Sequence, residues 1–181
     1  MLSWFSVMNS TSQKKSDFVK RKLNFIALNY LKQYATTSFS FEAHLNRKYY
    51  KSFKELCTKD AYESEVKILI SKLVEQGYLN DARFLELKIA SLFDRSKSVF
   101  YIKQHLLLKG FREQEIMDAI DEYYTKNEID PEQLQLEQIQ KIVTKKRLGQ
   151  SSENYQKDLA KLVRLGYSYE QCRKALADSF S

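Results

Sequence analysis

The stretch LLLKGFREQEI (Leu106–Ile116) contains an apolar run, a glycine, an aromatic residue and the start of a second amphipathic run. The same arrangement recurs in LVRLGYSYEQC (Leu162–Cys172), so that Gly110 and Gly166 superpose at an offset of 56 residues. A glycine just after an apolar stripe is typical of a helix end, because the left-handed conformation found there is inexpensive only without a Cβ atom. The repeated joint therefore predicts two equivalent pairs of helices.

The superposition extends along the helices that flank each glycine. Equivalent positions carry similar side chains: Leu106 with Leu162, Leu107 with Val163, Phe111 with Tyr167, Ile116 with Cys172, Ala119 with Ala175, and Ile120 with Leu176. Because these positions repeat at the spacing of one helix face, we expect the same residues to form a core in both copies.

Helical periodicity extends over nearly the whole chain, and no stretch shows the sustained alternation of a strand. The 181 residues include one Pro and four Gly, which favours helices over short strands joined by tight turns. We predict about nine helices, at residues 18–35, 38–50, 60–76, 80–94, 98–109, 112–126, 131–147, 152–165 and 168–179.

Residues suited to helix N-termini precede several of these helices. Asp130-Pro131 predicts an N-cap followed by Pro at the first helical position, and Ser168 with Gln171 predicts a capping box. Either Asn80 or Asp81 is the expected cap of the fourth helix. The remaining candidate caps are Ser38, Ser98, and Ser151 or Ser152.

Nine helices and a repeat of helix pairs predict an all-α fold of three tandem three-helix units, the first being a diverged copy without the glycine. The expected divisions are an N-terminal tail or remnant at residues 1–17 and units at residues 18–77, 78–128 and 129–181.

The glycine in LVEQGYLNDARF (Leu73–Phe84) has a different predicted role from the other two. Gly77 joins the first unit to the second, whereas Gly110 and Gly166 join helices within a unit. We expect Tyr78 and Phe84 to fill this joint. The interval of 33 residues from Gly77 to Gly110 is close to the tetratricopeptide period, but no Pro recurs and the next interval is 56.

Charge is distributed unevenly along the chain, whose formal net charge is +7. Residues 14–54 carry net +8, residues 95–112 carry +5 with no acidic residue, and residues 141–174 carry +6. Residues 113–137 carry −8. Net positive charge favours an acidic partner, of which nucleic acid is the commonest.

Stacked units would bring equivalent basic helices into line and form a stripe suited to a phosphate backbone or to an acidic protein groove. A lysine-rich face that is only solvated is the alternative, and the acidic block is either a second contact surface or a solvated face. Tyr49-Tyr50, between Lys48 and Lys51, is the best candidate for stacking on bases, although most aromatic residues at helical spacing belong to cores.

Sequence features of enzymes are missing. No phosphate-binding glycine loop occurs, His44 and His105 lack metal-ligand spacing, and no Ser or Cys has a recognisable activating partner. We therefore expect neither catalysis nor a cofactor nor a metal. Cys57 and Cys172 indicate reduced thiols of a cytosolic protein, and no apolar run is long enough for a membrane span.

Three stretches together resemble a known family. GYLNDARF (Gly77–Phe84), IKQHLLLKGF (Ile102–Phe111) and LVRLGYSYEQCRKAL (Leu162–Leu176) resemble, in that order, the signature stretches of the RecX family. The structural motif residues are Gly77, Tyr78, Asp81, Phe84, Gly110, Phe111, Gly166 and Tyr167. The resemblance covers roughly residues 21–180.

The resemblance implies an elongated, curved right-to-left array of helices that binds the RecA–DNA filament. Members of the family lodge in the filament groove and inhibit ATP hydrolysis, strand exchange and repressor cleavage, and some also bind DNA. The resemblance thus implies a regulator that is cytoplasmic and does not associate with a membrane. Its implied partners are RecA and, with weak, salt-dependent affinity, single- or double-stranded DNA, and we expect a monomer.

Combined with the charge pattern, this resemblance leads to a set of predicted contact residues. They are Lys20, Arg21, Lys22, Arg47, Lys48, Lys103, Lys109, Lys145, Lys146, Arg147, Lys161 and Arg164. Two alternatives stay open: a sequence-independent nucleic-acid-binding array without a recombinase partner, and a helical adaptor that binds only proteins.

Overall fold

The computed structural model describes the backbone of residues 3–149 and 154–177, and the side chains of residues 13–149 and 154–177. Over these residues the fold is all-α, without strands, which confirms the predicted class. The nine helices of this described part are α1 (Ser3–Leu31), α2 (Ser38–Ser52), α3 (Lys59–Glu75), α4 (Asp81–Asp94), α5 (Val99–Leu107), α6 (Glu113–Lys126), α7 (Pro131–Lys146), α8 (Tyr155–Arg164) and α9 (Tyr169–Ala177).

The chain divides into two compact units, Met1–Phe84 and Leu85–Ser181. The core of the first unit is formed by one face of each of its three complete helices. Its buried residues are Val19, Leu23, Ala27, Phe41, Leu45, Tyr49, Phe53, Tyr62, Val66, Leu69, Leu73 and Leu79. Tyr62 is fully buried and its hydroxyl donates to the Leu45 carbonyl at 2.8 Å, which satisfies the polar end of a large core side chain.

Helix starts in the first unit are fixed by side chains close in space. Thr37 is the N-cap of α2 and accepts from the Ser40 amide, one residue before the predicted cap Ser38. Asn80 caps α4 by accepting from the Arg83 amide at 2.9 Å. The carboxylate of Asp81 is thereby free to accept from the backbone amide of Ser38 at 2.8 Å, tying the start of α4 to the start of α2.

The second unit contains two clusters of buried residues. One comes from α4, α5 and α6: Leu85, Ile89, Leu92, Phe93, Ile102, Leu106, Ile116 and Ile120. The other comes from α7 to α9 and the segments that join them: Ile139, Val143, Leu148, Leu159, Leu162, Tyr167, Cys172, Ala175 and Leu176. The superposed pairs Leu106 with Leu162 and Ile116 with Cys172 are all fully buried, as the repeat predicts. The division into three units stays a prediction.

The three glycines of the repeated joint have the expected backbone. The φ angles are +75° at Gly77, +92° at Gly110 and +89° at Gly166, a region that L side chains rarely adopt. A Cβ atom at Gly77 would meet nothing within 4 Å, whereas at Gly166 it would lie 2.7 Å from Ser98 Oγ and 2.8 Å from a ring carbon of Phe100. Gly166 is therefore needed for close packing as well as for its backbone angle.

Two further details of the sequence predictions are wrong. Helix α1 starts at Ser3 rather than at 18, because the stretch before residue 18 contains no Pro or Gly that would end a helix. The assignment of residues 1–17 as an N-terminal tail or remnant stays a prediction. Val19, one turn before Leu23, is 3% exposed and extends the buried stripe. Tyr78 does not fill its joint, because its side chain is 61% exposed and Leu79, at 2%, is buried instead.

The remaining cap predictions have clear outcomes. Asp130 caps α7 with Pro131 at its first position, Ser98 caps α5 through the Tyr101 amide, and Ser168 accepts from the Gln171 amide. The caps Asp130 and Ser98 are confirmed, and so is the first half of the predicted capping box at Ser168. The side chain of Gln171 accepts from the Ser168 hydroxyl at 3.1 Å rather than from the backbone amide that a capping box uses. Ser151 and Ser152 lie outside the described residues.

Candidate nucleic-acid interface

The second unit contains a cleft of about 360 Å³ between the loop that joins α4 to α5 and the last turns of α7. Among the described residues, five basic side chains and one acidic side chain, Asp94, line it. The basic residues are Arg95, Lys97, Lys141, Lys145 and Lys146. A concave surface with this excess of cations attracts and concentrates anions.

Helix periodicity places the cations of α7 on one side of the cleft. Lys141 and Lys145 are four residues apart and therefore lie one above the other on the helix surface, and Lys146 is adjacent. All three side chains are exposed. The two lysines of the last turn also interact favourably with the carbonyl end of the helix, which adds a stabilising role in folding to any role in binding.

The loop after α4 supplies the opposite wall. Arg95 is exposed, and Lys97 is partly buried with its ammonium 4.7 Å from the centre of the Tyr101 ring. This cation–π contact restricts the long side chain without neutralising its charge. Half-buried Ile142 and Leu165 also line the cleft between the two walls.

Two predicted contact residues, Lys145 and Lys146, belong to this cleft, whereas Arg147 does not line it. Arg147 follows the helix with a φ angle of +52° as the left-handed C-cap of α7. The sequence prediction missed Arg95, Lys97 and Lys141 as cleft residues. The signal that could have found the first two is the exclusion of acidic residues from 95–112, but their meeting with α7 depends on tertiary packing.

The other predicted contact residues of the second unit do not line the cleft. Lys103 pairs with Glu113, and Lys161 pairs with Asp158 at 2.9 Å. Lys109 is half-buried and Arg164 is exposed. Since part of this charge is already balanced inside the protein, the predicted stripe on α5 and α8 is weaker than its residue count suggests.

In the first unit, two of the five predicted residues have clear partners within the fold. Lys20 pairs with Glu65 at 3.3 Å. Lys22 donates to the Ser52 carbonyl at 2.9 Å and lies 5.1 Å from the Phe53 ring centre, which indicates a packing role.

The other three predicted residues of the first unit lie nearer to solvent. Arg21 and Arg47 are exposed, and Lys48 is partly buried. Arg21 donates to the carbonyl of Asp17, one turn earlier, at 3.3 Å. These three side chains keep their positive charge available at the surface.

The aromatic pair at 49–50 divides into a core residue and a surface residue. Tyr49 is 9% exposed and donates its hydroxyl to the Cys57 carbonyl at 3.0 Å, so it has a structural role. Tyr50 is 67% exposed and lies edge-on to Tyr49 with a centroid distance of 5.2 Å. Only Tyr50 offers a ring to an external base.

Two other titratable side chains of the second unit, His105 and Cys172, add no charge to it at pH 7. Burial and the nearby cations Lys88 and Lys109 lower the pKa of His105 below its ordinary value, so the imidazole is neutral at pH 7. Burial raises the pKa of the Cys172 thiol to about 11, which keeps this buried cysteine protonated and unreactive.

Acidic residues of α6 and of the loop after it form a separate concave surface in the second unit. Asp121, Glu128 and Asp130 line a cleft of about 560 Å³ together with Tyr124 and other residues. Asp130 accepts from the Glu132 amide at 2.8 Å as a helix cap, so part of this negative charge has a structural function.

The described residues offer neither a cluster of metal ligands nor a helix able to span a membrane. No group of three or more His, Cys, Asp or Glu side chains lies together there in a way that could hold a metal ion. Within the same residues, every helix is too short or too polar to cross a bilayer.

The chain is similar to curated proteins. A protein of Myxococcus xanthus (strain DK1622) with the name Regulatory protein RecX is 30% identical over 152 residues, which cover 83% of this chain and 81% of that relative. A Regulatory protein RecX of Bacillus pumilus (strain SAFR-032) is 31% identical over 130 residues, or 69% of this chain and 47% of that longer relative. No family model matches the chain.

Two solved structures share the fold. The crystal structure of RecX from Lactobacillus salivarius has a TM-score of 0.63 and 23% identity, and the match covers 90% of this chain and 97% of that one. A crystal structure of regulatory protein RecX has a TM-score of 0.62 and 21% identity, covering 94% of this chain and 76% of that one.

Proposed function

This chain belongs to the RecX family of regulatory proteins, and from that premise we propose that it binds the RecA–DNA filament and lowers its recombinase activities. The activities concerned are ATP hydrolysis, strand exchange and stimulated repressor cleavage. The protein would act in the cytoplasm, where RecA and DNA meet, as a monomer built of three tandem three-helix units.

The observation that supports this proposal is family membership together with a basic cleft. A filament of protein on DNA presents phosphates and acidic groove residues, and cations attract both. The cleft between the α4–α5 loop and α7 offers five such cations in one concave surface. The exposed Arg21 and Arg47 of the first unit offer further charge.

Regulation of this kind needs no bond to be made or broken by the protein. A helical protein in the filament groove obstructs substrate DNA, and one at a filament end stops growth. The relatives carry the name of a regulatory protein, which agrees with a function through binding. Arg side chains can fork onto a phosphate or carboxylate, whereas Lys supplies a flexible point charge.

The test is single-strand-dependent ATP hydrolysis by RecA. We expect micromolar protein to inhibit hydrolysis at low salt, and the triple variant Lys145→Glu, Lys146→Glu, Arg147→Glu to inhibit at least tenfold less well. A matched triple variant with reversed charge at Lys157, Arg173 and Lys174 is the control for net charge. Unchanged hydrolysis at low salt with the wild-type protein would show that the proposal is wrong.

The cleft also favours a second candidate function, sequence-independent binding of nucleic acid without a recombinase partner. This function predicts an affinity for DNA that falls steeply with salt, because each neutralised phosphate releases condensed counterions. Co-purification with RecA from a nuclease-treated lysate separates the two candidates. Recovery of RecA after nuclease treatment favours the regulator, and its loss favours the nucleic-acid-binding array.

A further inference from the structure

The short loop that carries Arg95 and Lys97 contains a non-glycine residue in the left-handed backbone conformation. Ser96 adopts a φ angle of +51°, a conformation that costs a non-glycine residue free energy. Two backbone bonds shape the turn: Ser96 N–H donates to the Phe93 carbonyl at 2.8 Å and Lys97 N–H to the Leu92 carbonyl at 3.0 Å. Such a conformation persists only where surrounding structure holds it.

Three buried side chains join this loop and the end of α4 to other elements of the same unit, two of them from those elements and one, Ser98, from the loop itself. The Tyr167 hydroxyl donates to the Ser96 carbonyl at 2.8 Å, and the Gln138 amide donates to the Phe93 carbonyl at 3.0 Å. Ser98 Oγ donates to the Leu165 carbonyl at 2.6 Å. Tyr167, Gln138 and Ser98 are at most 3% exposed, so each bond satisfies a polar group away from water.

The joint between α8 and α9 is shaped to accept this loop. Gly166 has no Cβ atom, and a Cβ there would lie within 3 Å of Ser98 and Phe100. This close approach places the Tyr167 hydroxyl within hydrogen-bond distance of the Ser96 carbonyl. Ser96 is the residue between the two cationic residues Arg95 and Lys97. The glycine and the tyrosine of this motif therefore determine where one wall of the basic cleft lies.

The charges of the cleft indicate what it binds. The described lining residues include five cations and a single acid, Asp94, so the cations repel one another until an anion enters. Arg95 can fork onto a phosphate, and the four lysines act as point charges that attract a phosphate from any direction. A nucleic-acid backbone carries a phosphate at every nucleotide and can therefore meet several of these cations at once, which favours a phosphodiester backbone over the scattered carboxylates of a protein surface.

Resting on the proposed function and extending it, we propose that this cleft is the main nucleic-acid phosphate site of the second unit, with Tyr167 as its positioning residue. Arg95, Lys97, Lys141 and Lys145 contact backbone phosphates. Tyr167 contacts no nucleic acid. It fixes the conformation of the loop before binding, so that association does not have to order the loop and carries no entropic cost for doing so.

The first experiment compares two double variants of the full chain by fluorescence anisotropy with a labelled single-stranded oligonucleotide. Lys141→Gln with Lys145→Gln removes two charges from the cleft, and Arg173→Gln with Lys174→Gln removes two exposed charges from α9. We expect the cleft variant to bind the oligonucleotide roughly tenfold more weakly. The slope of the logarithm of its binding constant against the logarithm of the salt concentration should become shallower by about 1.4, which corresponds to the loss of two phosphate contacts on a single strand. Equal losses in the two variants would overturn the proposal.

The second experiment separates positioning from stability. Tyr167→Phe removes the hydroxyl that holds Ser96, and Tyr62→Phe removes a comparably buried hydroxyl bond in the first unit. Both variants should lose stability, but only Tyr167→Phe should weaken oligonucleotide binding, by roughly threefold to tenfold. It should also speed hydrogen exchange at the amides of Ser96 and Lys97. Unchanged affinity of folded Tyr167→Phe would contradict the positioning role.

Competitors identify the source of the anion. Inorganic triphosphate and poly-glutamate of equal charge should displace the oligonucleotide only at much higher concentration. Displacement by either at concentrations equal to the oligonucleotide would overturn the choice of a phosphodiester backbone. RecA hydrolysis assays keep the two proposals distinct, because a wild-type protein that inhibits RecA without binding oligonucleotide sinks this inference and leaves the proposed function standing.

Discussion

Substitution of Gly166 by Ala tests the reasoning about the joint between α8 and α9 most directly. The residue has a φ angle of +89°, and a Cβ atom would lie 2.7 Å from Ser98 Oγ and 2.8 and 2.9 Å from two carbons of Phe100. Gly77→Ala is the matched control, since the φ angle there is +75° and nothing lies within 4 Å of the added atom. The two variants share backbone strain and differ in steric overlap.

The expected effects follow from these two contributions. Left-handed backbone costs an L residue about 1–2 kcal/mol, and the reduced entropy of the unfolded chain returns about 0.5 kcal/mol. Gly77→Ala should therefore destabilise its unit by about 1 kcal/mol. Overpacking adds about 1–3 kcal/mol at Gly166, where the overlapping Ser98 also makes a buried hydrogen bond. We expect a total loss of about 2–4 kcal/mol.

Urea unfolding followed by far-UV circular dichroism measures both losses. With a slope of about 2 kcal/mol per molar urea, Gly166→Ala should lower the transition midpoint of its unit by about 1–2 M and Gly77→Ala by about 0.5 M. Hydrogen exchange at the Ser96 and Lys97 amides should accelerate only in Gly166→Ala. Equal midpoint shifts in the two variants would refute the claim that close packing, beyond backbone angle, requires this glycine.

Two further predictions concern buried or bridging carboxylates. Asp158 is 5% exposed and accepts from the Gly149 amide at 3.0 Å and from Lys161 at 2.9 Å. These bonds lower the pKa of its carboxyl group in the folded protein. Its contribution to the free energy of unfolding is therefore complete above the ordinary pKa and is lost as the pH falls through the lower pKa of the folded state. Thermal unfolding of Asp158→Asn should show a loss of about 1–3 kcal/mol at pH 7 and a smaller difference at pH 3, and a pH-independent difference would contradict this reasoning. Asp81→Ala should destabilise the first unit by about 1–2 kcal/mol in urea unfolding, because the amide of Ser38 loses its acceptor; no change would show that water replaces the carboxylate.

The amino-acid sequence alone determined the class of fold and most of its local structure. Apolar residues at helical spacing identified the positions of the nine described helices, because one face of each helix must be buried. The glycines at 110 and 166 gave the helix ends, since left-handed backbone is a local property. The caps Ser98, Asp130 and Ser168 were likewise predictable, because each binds amides within three residues of itself.

Sequence was less informative where side chains have partners far along the chain. Nothing local distinguishes the cap Asn80 from Asp81, whose carboxylate reaches Ser38 across 43 residues. Tyr78 and Leu79 are neighbours with large side chains that are both common in cores, and packing decides that Leu79 is buried and Tyr78 exposed. The start of α1 at Ser3 was missed because a helix can continue where no residue ends it.

The candidate site depended on tertiary structure more than the fold did. Segment charges correctly marked 95–112 and 141–174 as basic, since charge is a sum over residues. They did not reveal that Lys103 and Lys161 are paired with acids, or that Arg95 and Lys97 face Lys141 and Lys145 across a cleft. The position of the loop with Arg95 and Lys97 depends on Tyr167, whose hydroxyl donates to the carbonyl of Ser96, 71 residues away. Helices follow from short-range periodicity, whereas a cleft exists only once distant segments have been brought together by packing.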